Sequence, residues 1–476
     1  MKGKRYLAKN MLFLTVGQFG TKLLSFFLVP LYTSVLTSAE YGTYDLYSAT
    51  VSLFVPILTL NIADSTTIFL LDKANSKQGI ISISLKYYFC SLVIFAAAIC
   101  LNLAFKFLPL FNEYPVFLFL MFAVNGLVNL LLCYARGLDR IKDVSVSGVL
   151  CSAVMIAMNI VFLIPLHLGL KGYYLATIGG SLVQSVYLCI SLRIFRFVKF
   201  KHQDKFLKKE MLGYSCPMIL NTVSWWINNV SDRYMVTAFC GVVANGIYSV
   251  AYKIPSILTM FQSIFSQAWT LSAVQDFDSE DKSGFFSKMY SLYNVCMVLL
   301  CSVLILTDRF LARILYANDF YEAWRFVPFL LVSVVFGSLS GYLGGIFAAV
   351  KDSRSFASST VAGAVLNIVL NFFLIRLWGA LGAAAATMAS YVLVWAMRLY
   401  KAKKIMRLEV SLLRDCVSYV LLVFQCVAML FSGSFRVWSY VANVAVLVLL
   451  CVVYRKSFAL VAEFVRLKLR ERRFCR

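Results

Sequence analysis

The chain has 476 residues, 61% of them hydrophobic and only 14% charged, with 45 Lys and Arg against 22 Asp and Glu. A soluble protein of this size carries about 25% charged residues, so the composition excludes a soluble enzyme with a single anchor and points to a polytopic membrane protein. The net charge of +23 does not point to nucleic acid, because the basic residues fall in short loops between apolar runs.

The N-terminus holds Lys2, Lys4, Arg5 and Lys9. The apolar run that follows continues to about Leu36 with no small-residue cleavage site, so it reads as an uncleaved first span. No lipidation motif stands at either end. Apolar runs predict fourteen spans: 10–36, 44–71, 82–107, 114–135, 144–166, 172–195, 210–239, 245–272, 284–307, 324–350, 355–377, 380–400, 412–432 and 437–455. An even number puts both termini on one side. On that side lie 35 of the 45 basic residues. Seven lie opposite (Lys106, Lys171, Arg309, Arg313, Arg325, Arg376, Arg436), and Lys22, Arg233 and Lys253 fall within spans. By the positive-inside rule both ends are cytoplasmic. No loop is long enough to fold as a soluble catalytic domain, and no Walker, HExxH or GxSxG motif is present.

Two internal echoes organise the chain. Gly169-x-x-Gly172-x-x-x-Ala176-Thr177 returns as Gly379-x-x-Gly382-x-x-x-Ala386-Thr387, 210 residues on. Gly42-x-Tyr44 returns as Gly246-x-Tyr248, 204 residues on. Six spans is an even number, so the two units are parallel repeats. The expected organisation is all-α: a six-span N-lobe at 1–198, a basic cytoplasmic linker at 199–209, a six-span C-lobe at 210–404, and two further spans with a basic tail at 405–476. The linker and the amphipathic tail read as headgroup-binding surfaces.

The seventh span carries NTVSWWINNVSDRY, Asn221 to Tyr234. At about 100° per residue, Asn221, Trp225, Asn228 and Asp232 share a face, with Arg233 beside it on the side of Trp226. Polar groups in lipid are costly, so such a face looks at protein or at a water-filled cavity. The first span offers a matching face of Thr15, Gln18, Lys22 and Ser25. The second span has Asp45, Ser48, Ser52 and Thr59 in line, and the eighth has Ser249, Lys253, Ser256, Ser263 and Gln267. Together these four faces predict a central hydrophilic cleft. Asp45 is an expected partner for Lys253, and Asp232 for Arg233; the alternative is a cationic site for an anionic substrate such as a phosphate or diphosphate. Asp64, with Asn61, could carry a proton or sodium ion, or pair with Lys73. Trp225 and Trp226 could stack on sugar rings or serve as packing. Six span prolines, Pro30, Pro56, Pro165, Pro217, Pro255 and Pro328, are potential kinks.

The thirteen cysteines include no C-x-x-C pair, and His167 and His202 stand in loops or at span ends. Neither a disulfide framework nor a metal site is expected, and no cofactor. The acidic loop contains a D-x-D, Asp276 and Asp278, which a metal–nucleotide enzyme would use but which reads better as a solvated loop.

The opening KNMLFLTVGQFGTKLLSFFLVPLYTSVLTSAEYGTYDLYS, Asp232-Arg233 with the following NGIYSVAYK (Asn245 to Lys253), and the stretch from Asn371 to Thr387 resemble bacterial polysaccharide-biosynthesis flippases. These are the O-antigen and exopolysaccharide translocases, relatives of the lipid II flippase and of multidrug and toxin extrusion transporters. The resemblance spans essentially the whole chain. It implies two six-helix lobes with a cationic central cavity in the bacterial inner membrane. It also implies an undecaprenyl-diphosphate-linked oligosaccharide as substrate, flipped outward by alternating access, with a polysaccharide polymerase and a chain-length regulator as partners. It carries a cavity role to Lys22, Asp232, Arg233 and Lys253. A cation-coupled multidrug exporter is the alternative transporter, and would favour a dominant buried acid. A membrane polymerase or ligase is the alternative enzyme, and would need a large outward loop.

Overall fold

The computed structural model describes residues 26–71, 76–197, 205–275, 277–282, 284–350, 352–430 and 436–455. Apart from the single turn Ile194–Phe197, the α-helices in chain order are α1 (Val29–Val35), α2 (Ser38–Leu58), α3 (Ile62–Leu71), α4 (Lys77–Phe105), α5 (Pro115–Gly137), α6 (Ile141–Leu163), α7 (Gly169–Ser191), α8 (Lys205–Cys240), α9 (Val242–Ala251), α10 (Pro255–Gln275), α11 (Phe285–Leu315), α12 (Val327–Ala349), α13 (Ser353–Trp378), α14 (Ala380–Ile405), α15 (Leu412–Leu430) and α16 (Arg436–Val453). The protein is all-α. Among the described residues nine of these helices are long and apolar enough to cross a membrane, and the bent pair α2–α3 makes ten. The expected spans 210–239 and 437–455 coincide in position with α8 and α16, neither of which is among these nine. Most of the expected first span, with Thr15, Gln18, Lys22 and Ser25, lies outside the described residues, as do Lys73 and Asp276.

Two expected spans are broken. The run 44–71 is divided into α2 and α3, which meet at 56°. Pro56 lies in the last turn of α2, where its carbonyl accepts the amide of Asn61 at 2.7 Å, and Leu60 and Asn61 both turn left-handed. The run 245–272 is divided into α9 and α10 at Tyr252 to Ile254. The six prolines divide by position. Pro30, Pro255 and Pro328 stand in the first turns of α1, α10 and α12, where a missing N–H costs nothing and the fixed φ suits the helix. Pro165 follows the end of α6, and α8 continues through Pro217.

The chain divides into two compact units, Met1–Thr237 with Gly241–Gly246, and Ala238–Cys240 with Ile247–Arg476. In the first unit, Tyr47, Val51, Phe95, Phe122 and Tyr174 form one apolar core, and Ile80, Leu131, Tyr134, Leu188 and Met211 centre a second. In the second unit α12 is the hub. Its spanning window is 83% buried, whereas no other single spanning helix exceeds 50%.

Each unit contains one copy of the longer echo, as a helical hairpin: α6–α7 in the first and α13–α14 in the second. Gly169 and Gly379, the repeat-matched first glycines, both have positive φ, +52° and +59°. That conformation turns the chain between the two helices and suits a residue without Cβ. The second glycine of each pair fits where a Cβ would crowd the preceding helix, at Phe162 for Gly172 and at the Leu374 carbonyl for Gly382.

Candidate functional site

The polar stretch Asn221 to Tyr234 lies within α8, a single helix of 36 residues, about 54 Å long at 1.5 Å per residue. Its polar side chains are tolerated largely because they bond back onto their own helix. Thr222 donates to the Met218 carbonyl (3.2 Å), Ser224 to Leu220 (2.8 Å), Asn228 to Ser224 (3.1 Å), Asn229 to Trp225 (2.7 Å), Ser231 to Ile227 (2.6 Å) and Thr237 to Arg233 (2.8 Å). A donor that bonds four residues back needs no partner from another helix or from water.

The face expected to line a cavity divides along its length. Asn221 and Trp225 are exposed, whereas Asn228 and Asp232 are buried, at 7% and 1% exposure. Asp232 accepts the backbone N–H of Arg233 at 2.9 Å. It is the neighbouring face that docks on α2. Trp226 Nε1 donates to the Ala49 carbonyl and to Ser52 Oγ, both at 3.1 Å. Arg233 donates to the Asp45 carboxylate at 2.5 Å, and the Tyr234 hydroxyl meets Thr50 Oγ1 at 2.5 Å. Residues 226 and 233 lie one above another on α8 with 234 at their flank, and 45, 49 and 52 lie along one face of α2, so the two helix faces meet.

Arg233 and Asp45 form a true ion pair, their side chains 20% and 11% exposed. This replaces both expected pairings. Arg233 reaches across to α2 rather than along its own helix to Asp232, and among the described residues Lys253 makes no ion pair. Lys253 is half-buried at the α9–α10 break, where its amide bonds the Val250 carbonyl at 2.9 Å. A third helix completes the seam. Asn245 of α9, wholly buried, donates to the Gly42 carbonyl at 3.2 Å and to Asp45 at 3.5 Å. Among the described residues, Asp45 therefore gathers the charged donor Arg233 and the neutral donor Asn245 inside the first unit.

Close approach of α2 and α9 depends on the second echo. A Cβ on Gly42 would strike the Val242 carbonyl, and one on Gly246 the Ser38 carbonyl. Ser38 and Val242 are related by the same offset of 204 as the two glycines, so the contact is symmetric. Beside it stands an aromatic cluster in which Tyr173 meets Tyr44 at 4.3 Å and Tyr32 at 4.6 Å between ring centroids.

Asp64 has a local partner. It stands in the first turn of α3 and accepts a hydrogen bond from Asn61 Nδ2 at 2.8 Å. The acidic loop is also a local structure. Asp278 accepts the amides of Glu280 and Lys282, and Asp281 caps the start of α11 through Phe286, Ser287 and the Ser287 hydroxyl. Among the described residues no three His, Cys, Asp or Glu side chains converge as a metal site would require.

Two buried cations are not singled out by the sequence reading: Arg309 falls just past the expected span 284–307, and Arg398 falls inside the expected span 380–400. Arg309 lies inside α11, which extends to Leu315 rather than ending near 307, and is 3% exposed. Arg398 lies inside α14, 2% exposed, bonded to Ser359 Oγ, the Ser340 carbonyl and Thr360 Oγ1 at 2.9–3.0 Å and stacked over Phe356. Hydropathy reads a charge as the end of a span, yet a guanidinium supplied with acceptors and an aromatic face can remain within it. A helix count without allowance for such pairing ends the expected span at 307 and leaves Arg309 outside it.

A family model described as polysaccharide biosynthesis protein matches residues 7–271. No curated protein matches the sequence. Solved structures share its fold. The lipid II flippase MurJ in an inward closed conformation is 13% identical over 93% of this chain and 99% of its own, with a TM-score of 0.66. An inward-facing multidrug resistance transporter of the MATE family and MOP superfamily is 14% identical over 81% of this chain and 95% of its own, TM-score 0.66. A MOP superfamily transporter from Pyrococcus furiosus, whose binding pocket is described as reversed in polarity, is 14% identical over 89% of this chain and 96% of its own, TM-score 0.57.

Proposed function

The chain belongs to the polysaccharide biosynthesis protein family, and we propose on that footing that it is a flippase. Its substrate is an undecaprenyl-diphosphate-linked oligosaccharide, moved from the cytoplasmic to the outer leaflet by alternating access for cell-surface polysaccharide synthesis. The observation that carries this reading is Arg233, a guanidinium on a membrane helix balanced by the Asp45 carboxylate at 2.5 Å. A diphosphate carries more charge than a carboxylate and matches the planar fork of a guanidinium equally well. It can therefore exchange with Asp45 for Arg233, which couples substrate arrival to release of α8 from α2.

In this reading Lys22 and Lys253 add point charges for the diphosphate, while Gln18, Asn221, Trp225, Asn228 and Asp232 address the sugars. The chain works as two related six-span lobes. It resides in the bacterial inner membrane with both termini cytoplasmic, alongside a polymerase and a chain-length regulator, and is a transporter without a catalytic centre. Asp64 is a tentative ion-coupling residue.

The test is complementation of a flippase-deficient strain. Arg233→Ala is expected to reach the membrane at normal levels and to yield no surface polysaccharide, and Arg233→Lys to restore a fraction. Normal polysaccharide from Arg233→Ala overturns the reading.

A further inference from the structure

The last two helices lie outside the repeat, and α11 holds the first of them, α15, through polar groups along its length. Near one end Arg414 donates to Ser291 Oγ at 3.0 Å and pairs with Asp415, and the Tyr419 hydroxyl donates to Asn294 at 3.0 Å. Midway, Gln425 Nε2 donates to the Ser302 carbonyl at 3.1 Å. At the other end Arg309 donates to the Met429 carbonyl at 2.6 Å and lies 4.2 Å from the centre of the Trp324 ring. Ser291 and Asp308 are 17 positions apart on α11, about 26 Å at helical rise, close to the thickness of a hydrocarbon core.

Asp308 breaks the pattern. Its exposure is zero, and among the described residues neither carboxyl oxygen has a hydrogen-bond partner. An ionised carboxylate only accepts hydrogen bonds, and burying one without donors costs several kcal/mol. The surroundings offset this only in part, through the charge of the neighbouring Arg309. Buried Cys426 of α15 faces it, buried Cys301 stands two turns earlier on α11, and Arg309 beside it is turned to Met429 and Trp324. The other elements packed on α11 offer little charge. α10 and α12 contain no Asp, Glu, Lys, Arg or His, and in α16 only Arg436, its first residue, is charged. The short helix Asn318–Arg325 carries Asp319, Glu322 and Arg325, the last two paired with each other at 2.9 Å.

We propose that Asp308 is a proton-binding site: its carboxyl is neutral in this conformation, and its ionisation requires α15 and α16 to loosen from α11. Ionisation breaks the O–H bond and passes the proton to water, and water reaches a wholly buried group only when the covering helices part. The protein thus binds a proton at a place that shares no helix with the Asp45–Arg233 seam, and the site stands whatever molecule the chain carries.

The test uses the full chain in lipid nanodiscs. Wild type at neutral pH is expected to show the infrared carbonyl band of a protonated carboxyl in an apolar setting, and Asp308→Asn to lack it. Raising the pH is expected to increase maleimide labelling of Cys426, read by peptide mass spectrometry, several-fold more in wild type than in Asp308→Asn. An infrared band unchanged by the substitution, or equal labelling profiles, overturns the proposal. Asp308→Leu serves the same comparison, since a site for a neutral group accepts it. Failure of both variants to fold shows that an ionised carboxylate is required, and also overturns the proposal.

Discussion

Gly42 and Gly246 lie 204 residues apart in the chain and meet backbone to backbone, each occupying the space where the other helix's carbonyl leaves no room for a Cβ. Small residues are what allow membrane helices to approach so closely. Here a small residue serves at each of two repeat-related positions, and the contact brings Asn245 onto the Gly42 carbonyl and Asp45. Gly42→Ala and Gly246→Ala are each expected to destabilise the protein by about 1–3 kcal/mol, the usual range for overpacking. The double variant should fall short of the sum, because the first substitution already parts the helices. Thermal unfolding in detergent reads both effects, and an unchanged midpoint in either single variant counts against the contact.

The Asp45–Arg233 pair separates a structural role from a transport role. Asp45→Ala removes the acceptor of a charged hydrogen bond and should cost roughly 2 kcal/mol. Exchanging the two charges, Asp45→Arg with Arg233→Asp, is expected to recover much of that stability by restoring the attraction. If α8 must present the cation to substrate, the exchanged protein will be stable and silent in the complementation assay. Full activity in the exchanged protein would mean that the pair only fastens α8 to α2.

Cysteine scanning can read the divided face of α8. In a background without reactive native cysteines, Asn221→Cys should label readily with a thiol reagent small enough to enter, and Asn228→Cys slowly. The first side chain is exposed and the second buried at 7%. Equal rates at the two positions would show that α8 adopts another rotation in the membrane.

A pH effect is expected at the turn before α13. Asp352 caps that helix, accepting the Ser355 amide at 3.0 Å. The Ser355 side chain, and then its backbone N–H, hold the Asp352 carboxyl below the usual carboxylate range. A depressed folded-state value contributes stability that is present above the unfolded value and lost as pH falls through the folded one. Asp352→Ala should therefore lower the melting midpoint near neutral pH, and the gap from wild type should close in acid. A gap that is constant across pH would leave the cap without an ionic contribution.

Much of the architecture could be read from residue order because its causes are local. Apolar runs long enough to span a bilayer predict helices whatever packs around them. The glycine echoes predicted two related units, and the repeat-matched Gly169 and Gly379 both take a positive φ that a residue with a Cβ resists. The breaks were less legible. Pro56 and Pro255 look alike in sequence, yet one sits in the last turn of a helix and the other begins one.

The polar stretch of α8 marks the boundary between the two kinds of information. That it is helical, and unusually polar for an expected span, follows from its composition and from side chains that can bond four residues back along their own helix. Which face meets protein does not follow, because periodicity gives the angle between residues and not the rotation of the helix. Packing decided it. The ridge of Trp226, Arg233 and Tyr234 fits against Asp45, Ala49 and Ser52, and the Gly42–Gly246 crossing brings Asn245 onto Asp45. The same is true of Asp308, Arg309 and Arg398. Their charges are plain in the sequence, but only the surrounding helices make them buried, since burial belongs to neighbours that lie far away in the chain.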